Sequence, residues 1–414
     1  MNEWAHVQLA DVCASIDYGL TTSAKDSMVG PRFLRITDIV SGAIDWMSVP
    51  YCLASPKEIE RFALRDGDIV VARTGASVGT TAFVQQPPDA VFASYLVRLQ
   101  AIPEVDPRYL YYCLQTPEWR HHIDSVASGK SAQPNASASA MVKFRVSVPE
   151  RGVQQAIAEV LGALDDRIES NRRCNRLSSD IAECEFQAAL SEDGVAWDSA
   201  WPHKTLGDVL DVIETGSRPR GGVAGIASGV PSIGAESVVE AGHFDFGKLK
   251  HVPREFFDAM KRGRLHDRDV LLYKDGGRPG EFEPHVSMVG EGFPFAECAI
   301  NEHVYRLRVA PPYSQDFLYF WLRSDRMSEE MRRRGTGVAI PGLNSSNVKA
   351  LPMIVPDRAR LARAQAVAEP LMTNLLKKAK HSRIIVKVRD ALLPELLSGR
   401  LLVKEAEQVT GAVT

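Results

Sequence analysis

At 414 residues the chain is longer than one hydrophobic core usually organises, so two or more domains are expected. A hydrophobic fraction of 45%, a charged fraction of 24% and a net charge of −3 describe an ordinary soluble globular protein with no global basic field. Nucleic-acid binding would then rest on local basic clusters. The six cysteines are scattered without a C-x-x-C spacing, which fits reduced thiols better than a disulfide frame or a zinc site. No basic and apolar leader opens the chain, and no window approaches 18 uninterrupted apolar residues, so a cytoplasmic protein without a membrane partner is expected.

Along the chain, Asp68-Ile-Val-Val-Ala72 has the look of a short strand, followed by the Gly-rich loop Arg73-Thr-Gly-Ala-Ser-Val-Gly-Thr80. A helical patch lies around 107–115, and His121-His122 sits on a helix, at the surface and away from any metal spacing. The loop Ser128-Gly-Lys-Ser-Ala-Gln-Pro-Asn135 comes next. From about 156 a long amphipathic helix places Ile157, Leu161, Leu164 and Ile168 at 4-3-4 steps. After a polar break near Asn171, Leu177, Ile181, Cys184 and Ala188 resume the pattern one residue out of register.

The chain then repeats itself. Trp4-Ala-His-Val-Gln-Leu9-Ala-Asp-Val12 returns as Trp201-Pro-His-Lys-Thr-Leu206-Gly-Asp-Val209, and the strand at 68–72 returns as Asp269-Val-Leu-Leu-Tyr273. The patch at 107–115 has its counterpart at 315–322, and Val148-Pro-Glu150 becomes Val355-Pro-Asp357. A second long helix closes the chain on a ladder of Leu361, Ala364, Ala368, Leu371, Leu375, Ile385, Leu392 and Leu396, with Pro370 and Pro394 expected to kink or interrupt it. The order is unit, helix, unit, helix. Strands mixed with a few short helices predict an α+β fold. The helical seams favour coiled-coil pairing, the alternative being that each helix packs on its own domain.

Chemistry is sparse. In the loops after the repeated strands, Arg73, Thr74 and Ser77, and Lys274 and Arg278, are candidates for holding a DNA phosphate, against the reading of simple tight turns. Neither loop has Walker spacing. Lys130, Ser131, Gln133 and Asn135, and Arg332, Arg333, Arg334 and Asn344, are candidates for base or phosphate contact, against the reading of solvated loops. The nearest approach to an adenine-methyltransferase Asn/Asp-Pro-Pro-Tyr/Phe motif, Gln86-Pro-Pro-Asp89, lacks both the amide and the aromatic. No residue is assigned as catalytic or metal-binding.

The duplication, the Val-Pro-acid boundary before "AIAEVLGALDDRIESNRR", and the terminal "LLPELLSGRL" together resemble the specificity subunit of type I restriction–modification systems. The resemblance covers nearly the whole chain; Gln154-Gln155 and Pro370 depart from the family pattern. It implies two target recognition domains, at 1–149 and 194–355, and helical regions at 150–193 and 356–403, followed by a tail at 404–414. It further implies that the helices pair as an antiparallel coiled coil, keep the domains apart and dock two methyltransferase subunits. Ile157, Leu161, Leu164, Ile168, Leu371, Leu375, Ile385, Leu392 and Leu396 would serve pairing or docking. Double-stranded DNA is the implied ligand and restriction subunits are further implied partners. S-adenosylmethionine would sit on the methyltransferase, leaving this chain without a cofactor. A methyltransferase with built-in specificity and a two-domain protein-binding scaffold are the alternatives.

Overall fold

The computed structural model describes residues 4–40, 42–127, 134–191, 203–247, 249–278, 280–337 and 341–411. The first half contains β1 (Ala5–Gln8), β2 (Cys13–Tyr18), β3 (Ala24–Lys25), β4 (Arg32–Leu34), β5 (Tyr51–Cys52), α1 (Pro56–Phe62), β6 (Ile69–Ala72), β7 (Thr81–Phe83), β8 (Ala90–Phe92), β9 (Leu96–Ala101), α2 (Pro107–Cys113), α3 (Pro117–Val126), α4 (Ala138–Met141) and β10 (Arg145–Val148). The long helix α5 (Arg151–Leu190) follows. The second half contains β11 (His203–Thr205), α6 (Leu206–Val209), β12 (Leu210–Thr215), β13 (Val230–Ile233), β14 (Val238–Glu240), β15 (His243–Phe244), β16 (Lys250–Val252), α7 (Arg254–Ala259) and β17 (Val270–Tyr273). It continues with β18 (Gly277–Arg278), β19 (Glu281–Phe282), β20 (Val286–Met288), β21 (Ala299–Ile300), β22 (Val304–Val309), α8 (Gln315–Arg323), α9 (Asp325–Arg334), α10 (Ser345–Lys349) and β23 (Pro352–Ile354). The second long helix α11 (Arg358–Leu397) and a short α12 (Val403–Gly411) close the chain.

The duplication is topological. An antiparallel sheet ordered β2-β9-β6-β7 is repeated as β12-β22-β17-β20, each with a bulge near the start of its first strand, at Cys13–Ser15 and Leu210–Val212. A parallel pair β4/β8 is repeated as β13/β21, and the closing ribbon β1/β10 as β11/β23. Strand β6 reads Ile-Val-Val-Ala because both its faces are covered: Ile69 and Val71 enter one core, Val70 and Ala72 another. In β17, Val270 and Leu272 enter one core, Leu271 another.

The chain divides into two compact units, Met1–Glu169 with Ile384–Thr414, and Ser170–Arg383. Each unit holds one set of sheets and a stretch of both long helices. In the first, Ile157, Leu161, Leu164 and Ile168 of α5 are buried in one core with Ile385, Leu392 and Leu396 of α11. The two helices run antiparallel there. Arg389 donates to Asp165 (2.8 Å), and Tyr112 of α2 donates to the other oxygen of that carboxylate (2.7 Å). Gln154 is 1% exposed; it accepts from the Asp106 amide and donates to Pro149, tying the start of α5 to the loop before α2. In the second unit, Ala182, Phe186 and Leu190 share a core with Ala364, Ala368, Met372 and Leu375, and Phe186 meets Phe317 edge-on and stacks on Phe320.

Four expectations are corrected. The apolar stripe of α5 does not slip after Asn171. Its inward positions continue as Asn175, Ser179, Ala182, Phe186 and Leu190, while Leu177 and Ile181 are each 56% exposed and Cys184 and Ala188 face solvent. Asn175 is accepted inside with its amide nitrogen hydrogen-bonded to His243 (2.8 Å), whose imidazole burial holds below its ordinary pKa, and at the margin of the stripe Lys378 donates to the half-buried Ser178 (2.8 Å). In α11 the seam position belongs to Met372, fully buried, and Leu371 is half-buried. Pro370 and Pro394 do not interrupt α11. Each forfeits one backbone bond, and the flanking turns are anchored by Ala368 and Met372 in one core and by Leu392 and Leu396 in the other. Finally, 404–414 is not a plain tail. Gly399, at φ +70°, turns the chain beside Trp4, and α12 returns to bury Ala406 in the first unit's core.

Candidate nucleic-acid interface

In each unit one loop is built in the same way. The strand that carries it begins at a buried carboxylate. Asp68 accepts from the Arg65 amide (2.9 Å) and from Gln100 (2.7 Å), with Arg98 at 3.9 Å and Arg98 paired to Asp17 at 2.8 Å. Asp269 accepts from the His266 amide (2.7 Å) and from both Arg306 and Arg308, and Arg306 also donates to Glu214 (2.7 Å). Burial pushes the Asp68 carboxyl above the usual carboxylate range.

At the other end of the strand, three backbone hydrogen bonds fix the loop, and each is duplicated. Arg73 N donates to Tyr95 O, Gly75 N to Pro134 O, and Ala136 N to Arg73 O. In the second unit Lys274 N donates to His303 O, Gly276 N to Pro341 O, and Leu343 N to Lys274 O. Thr74 thereby faces Asn135 where Asp275 faces Gly342. The loops are tight turns, and the turn presents side chains at fixed positions.

Those side chains differ. In the first unit the Arg73 guanidinium lies 4.7 Å from the Tyr18 ring centroid and donates to Asn135 Oδ1 at 3.4 Å. Stacking pre-orients a fork suited to guanine or phosphate. Thr74 and Ser77 are half-buried beside it, while Lys130, Ser131 and Gln133 lie outside the described residues. In the second unit Lys274 donates to Glu302 O (3.3 Å), His303 Nδ1 donates to Asp275 (2.8 Å), and Arg218 pairs with Glu302 (3.0 Å). Arg278 is exposed on the β18–β19 hairpin.

Two further candidates are relocated. Arg332, Arg333 and Arg334 form the last turn of α9, not a loop. Arg333, 71% exposed, and Arg334 pair with Glu330 at 2.6 and 3.0 Å, and Arg333 above all holds that carboxyl below its usual range. Arg332 is exposed and forms no ion pair among the described residues. Asn344 is the N-cap of α10, its Oδ1 accepting from Asn347 N (2.8 Å), as Ser137 caps α4 in the first unit. One lone pair of that oxygen is committed to the cap, so the helix end accounts for Asn344 without a base contact.

Tyr18, Asp275, His303, Glu302 and Arg218 were not singled out from sequence. His122, expected at the surface, is half-buried, with Nε2 bonded to Ala140 O (3.1 Å) and its ring packed on Trp119 and Phe144. Among the described residues no His, Cys, Asp or Glu group could hold a metal ion, and no helix is long and apolar enough to cross a membrane.

Residues 1–177 match the family model for the type I restriction modification DNA specificity domain. The chain is 26% identical over 321 residues to the type I restriction enzyme MjaIX specificity subunit of Methanocaldococcus jannaschii, covering 72% of this chain and 69% of that one. It is 22% identical to the HindI specificity subunit of Haemophilus influenzae, covering 97% of this chain and 100% of the relative. The crystal structure of a type I restriction–modification S subunit from M. genitalium superposes with a TM-score of 0.50 at 15% identity, over 95% of this chain and 96% of that one, a likeness of fold. With its doubled topology and its pair of long helices, the chain is similar in sequence and in fold to type I restriction–modification specificity subunits.

Proposed function

We propose that this chain reads a bipartite duplex DNA site, one half with each unit, and brings methyltransferase subunits to it without performing chemistry itself. The observation that carries the reading is the duplicated loop: one backbone scaffold, held by the same three hydrogen bonds, presents different side chains in each unit. A shared frame with variable side chains is what reading two unlike half-sites requires. S-adenosylmethionine binds to the methyltransferase, and a restriction subunit joins where the complex also cuts. The methyltransferase docks on the long helices. The outward stripe of α5 formed by Cys174, Leu177, Ile181, Cys184 and Ala188 supports this, because it repeats at 3-4-3-4 steps and faces solvent in the lone chain.

The test is methylation. Supplied with duplex DNA and S-adenosylmethionine, the chain alone is expected to transfer no methyl groups. The co-purified complex with methyltransferase subunits is expected to methylate one bipartite motif, mapped in the host genome with and without this gene. Robust methylation by the isolated chain would return the alternative, a methyltransferase with built-in specificity.

The last turn of α9 gives a second check. Replacing Arg332, Arg333 and Arg334 with Ala should weaken DNA binding and flatten its salt dependence by roughly 0.9 in log–log slope for each phosphate left without its cation. Equal affinity and slope in the variant would make this turn a solvated helix end held by Glu330.

A further inference from the structure

We propose that Asp275 is a base-reading residue of the second unit, accepting a hydrogen bond from an exocyclic amino group in the major groove. This rests on the functional reading above. In the first unit the equivalent loop offers donors, Arg73 stacked on Tyr18 and bonded to Asn135. In the second unit the same frame offers a carboxylate at Thr74's position, and opposite it stands Gly342 in place of Asn135. Gly342 is needed there, since a Cβ would come within 2.5 Å of Asp275 Oδ1 and 2.7 Å of Lys274 O. His303, at the position of Tyr95, holds the other oxygen by donating from Nδ1 at 2.8 Å.

The carboxylate is thus held by His303, given room by Gly342, and still 28% exposed. Each oxygen retains a second lone pair. A fixed carboxylate cannot contact a phosphate favourably, because like charges repel. Lys274 lies 3.9 Å from it and Arg278 follows on the β18–β19 hairpin, cations suited to the phosphates on either side of a base contact, while Glu302 is taken up by Arg218. The major-groove groups that match an acceptor are cytosine N4 and adenine N6. Asp275 therefore selects A or C over G or T on one strand, at one position of the half-site read by the second unit.

The experiment uses the complex of this chain with its methyltransferase subunits and a set of duplexes in which each position of the mapped site is varied. The wild-type complex is expected to favour A or C over G or T at one position on one strand by about ten- to a hundredfold. Asp275→Asn, isosteric and equipped with both donor and acceptor, should reduce that preference to about threefold or less and leave every other position unchanged. His303→Ala, which leaves the carboxylate in place without its holder, should weaken the same position only, and gives a second route should the first variant assemble poorly. Unchanged preferences in Asp275→Asn overturn the inference while the functional reading stands. So does a uniform gain in affinity for all sequences, which would make Asp275 a mere source of repulsion. A wild-type complex with no bipartite preference overturns both.

Discussion

Asp269→Ala is expected to destabilise the second unit by about 3–5 kcal/mol, the range for breaking a buried ion pair by removing one partner. Asp269 is fully buried, and it gathers the His266 amide, Arg306 and Arg308 around one carboxylate. With the carboxylate gone, Arg306, whose side chain is 10% exposed, keeps Glu214 as its one carboxylate among the described residues, with His266 Nδ1 at 3.1 Å. The damage should reach the candidate loop as well, because Asp269 starts the strand whose far end carries Lys274 and Asp275. Hydrogen exchange should show peptides within 203–383 losing protection while those of 4–127 keep theirs; a destabilisation below about 1 kcal/mol would refute the assignment. The equivalent change in the first unit should behave differently. Burial raises the Asp68 carboxyl, so its contribution is fully present below its unfolded value of 3.8 and is lost as pH rises through the folded value. At neutral pH Asp68→Asn, which keeps an acceptor for Gln100 but turns an amide nitrogen toward the Arg65 amide, is therefore expected to destabilise by less than Asp269→Ala.

The double variant Leu177→Glu, Ile181→Glu is expected to weaken assembly with the methyltransferase subunit at least a hundredfold and to leave the fold intact. Both side chains are 56% exposed, so charge there meets water in the lone chain. Covered by a partner, each apolar side chain would contribute about 1.5–3 kcal/mol, and a buried unpaired carboxylate would cost more than that contribution. Sedimentation of the mixed subunits and melting of the lone chain separate the two effects. Full assembly by the double variant would place docking elsewhere on the helices.

What could be read in advance follows from what each residue needs to show itself. Strands β6 and β17 declared themselves because both of their faces meet apolar cores, leaving uninterrupted apolar runs beside Asp and Gly. Helix α5 was equally plain up to Asn171. The register of α5 beyond Asn171 was not, since hydrophobicity ranks Leu177 above Asn175 and takes no account of the His243 that bonds the amide nitrogen. The loops at 73–80 and 274–280 were found by their repetition. Their chemistry was hidden, because Arg73 meets Tyr18 and Asp275 meets His303 only once the sheets have formed. Asn344 misled for a related reason: a cap and a base reader look alike until the helix behind the cap is seen. The arginine triplet looked like a loop because the anchors of its helix, Met327 and Met331, are only two residues.

The discontinuity of the first unit sets an order of events at the ribosome. Residues 170–383 form one unbroken stretch and can close as soon as they emerge, whereas the first unit is completed only by 384–414, some 245 residues after its own first segment ends. At about 5–20 residues per second that wait lasts roughly 12–50 s. Throughout it, the faces of Ile157, Leu161, Leu164 and Ile168 that Ile385, Leu392 and Leu396 later cover stand open on the nascent chain. A message truncated before codon 384 would leave them open permanently, and its product would be a client for chaperones and proteases even though every residue of the loops at 73–80 and 274–280 had been made.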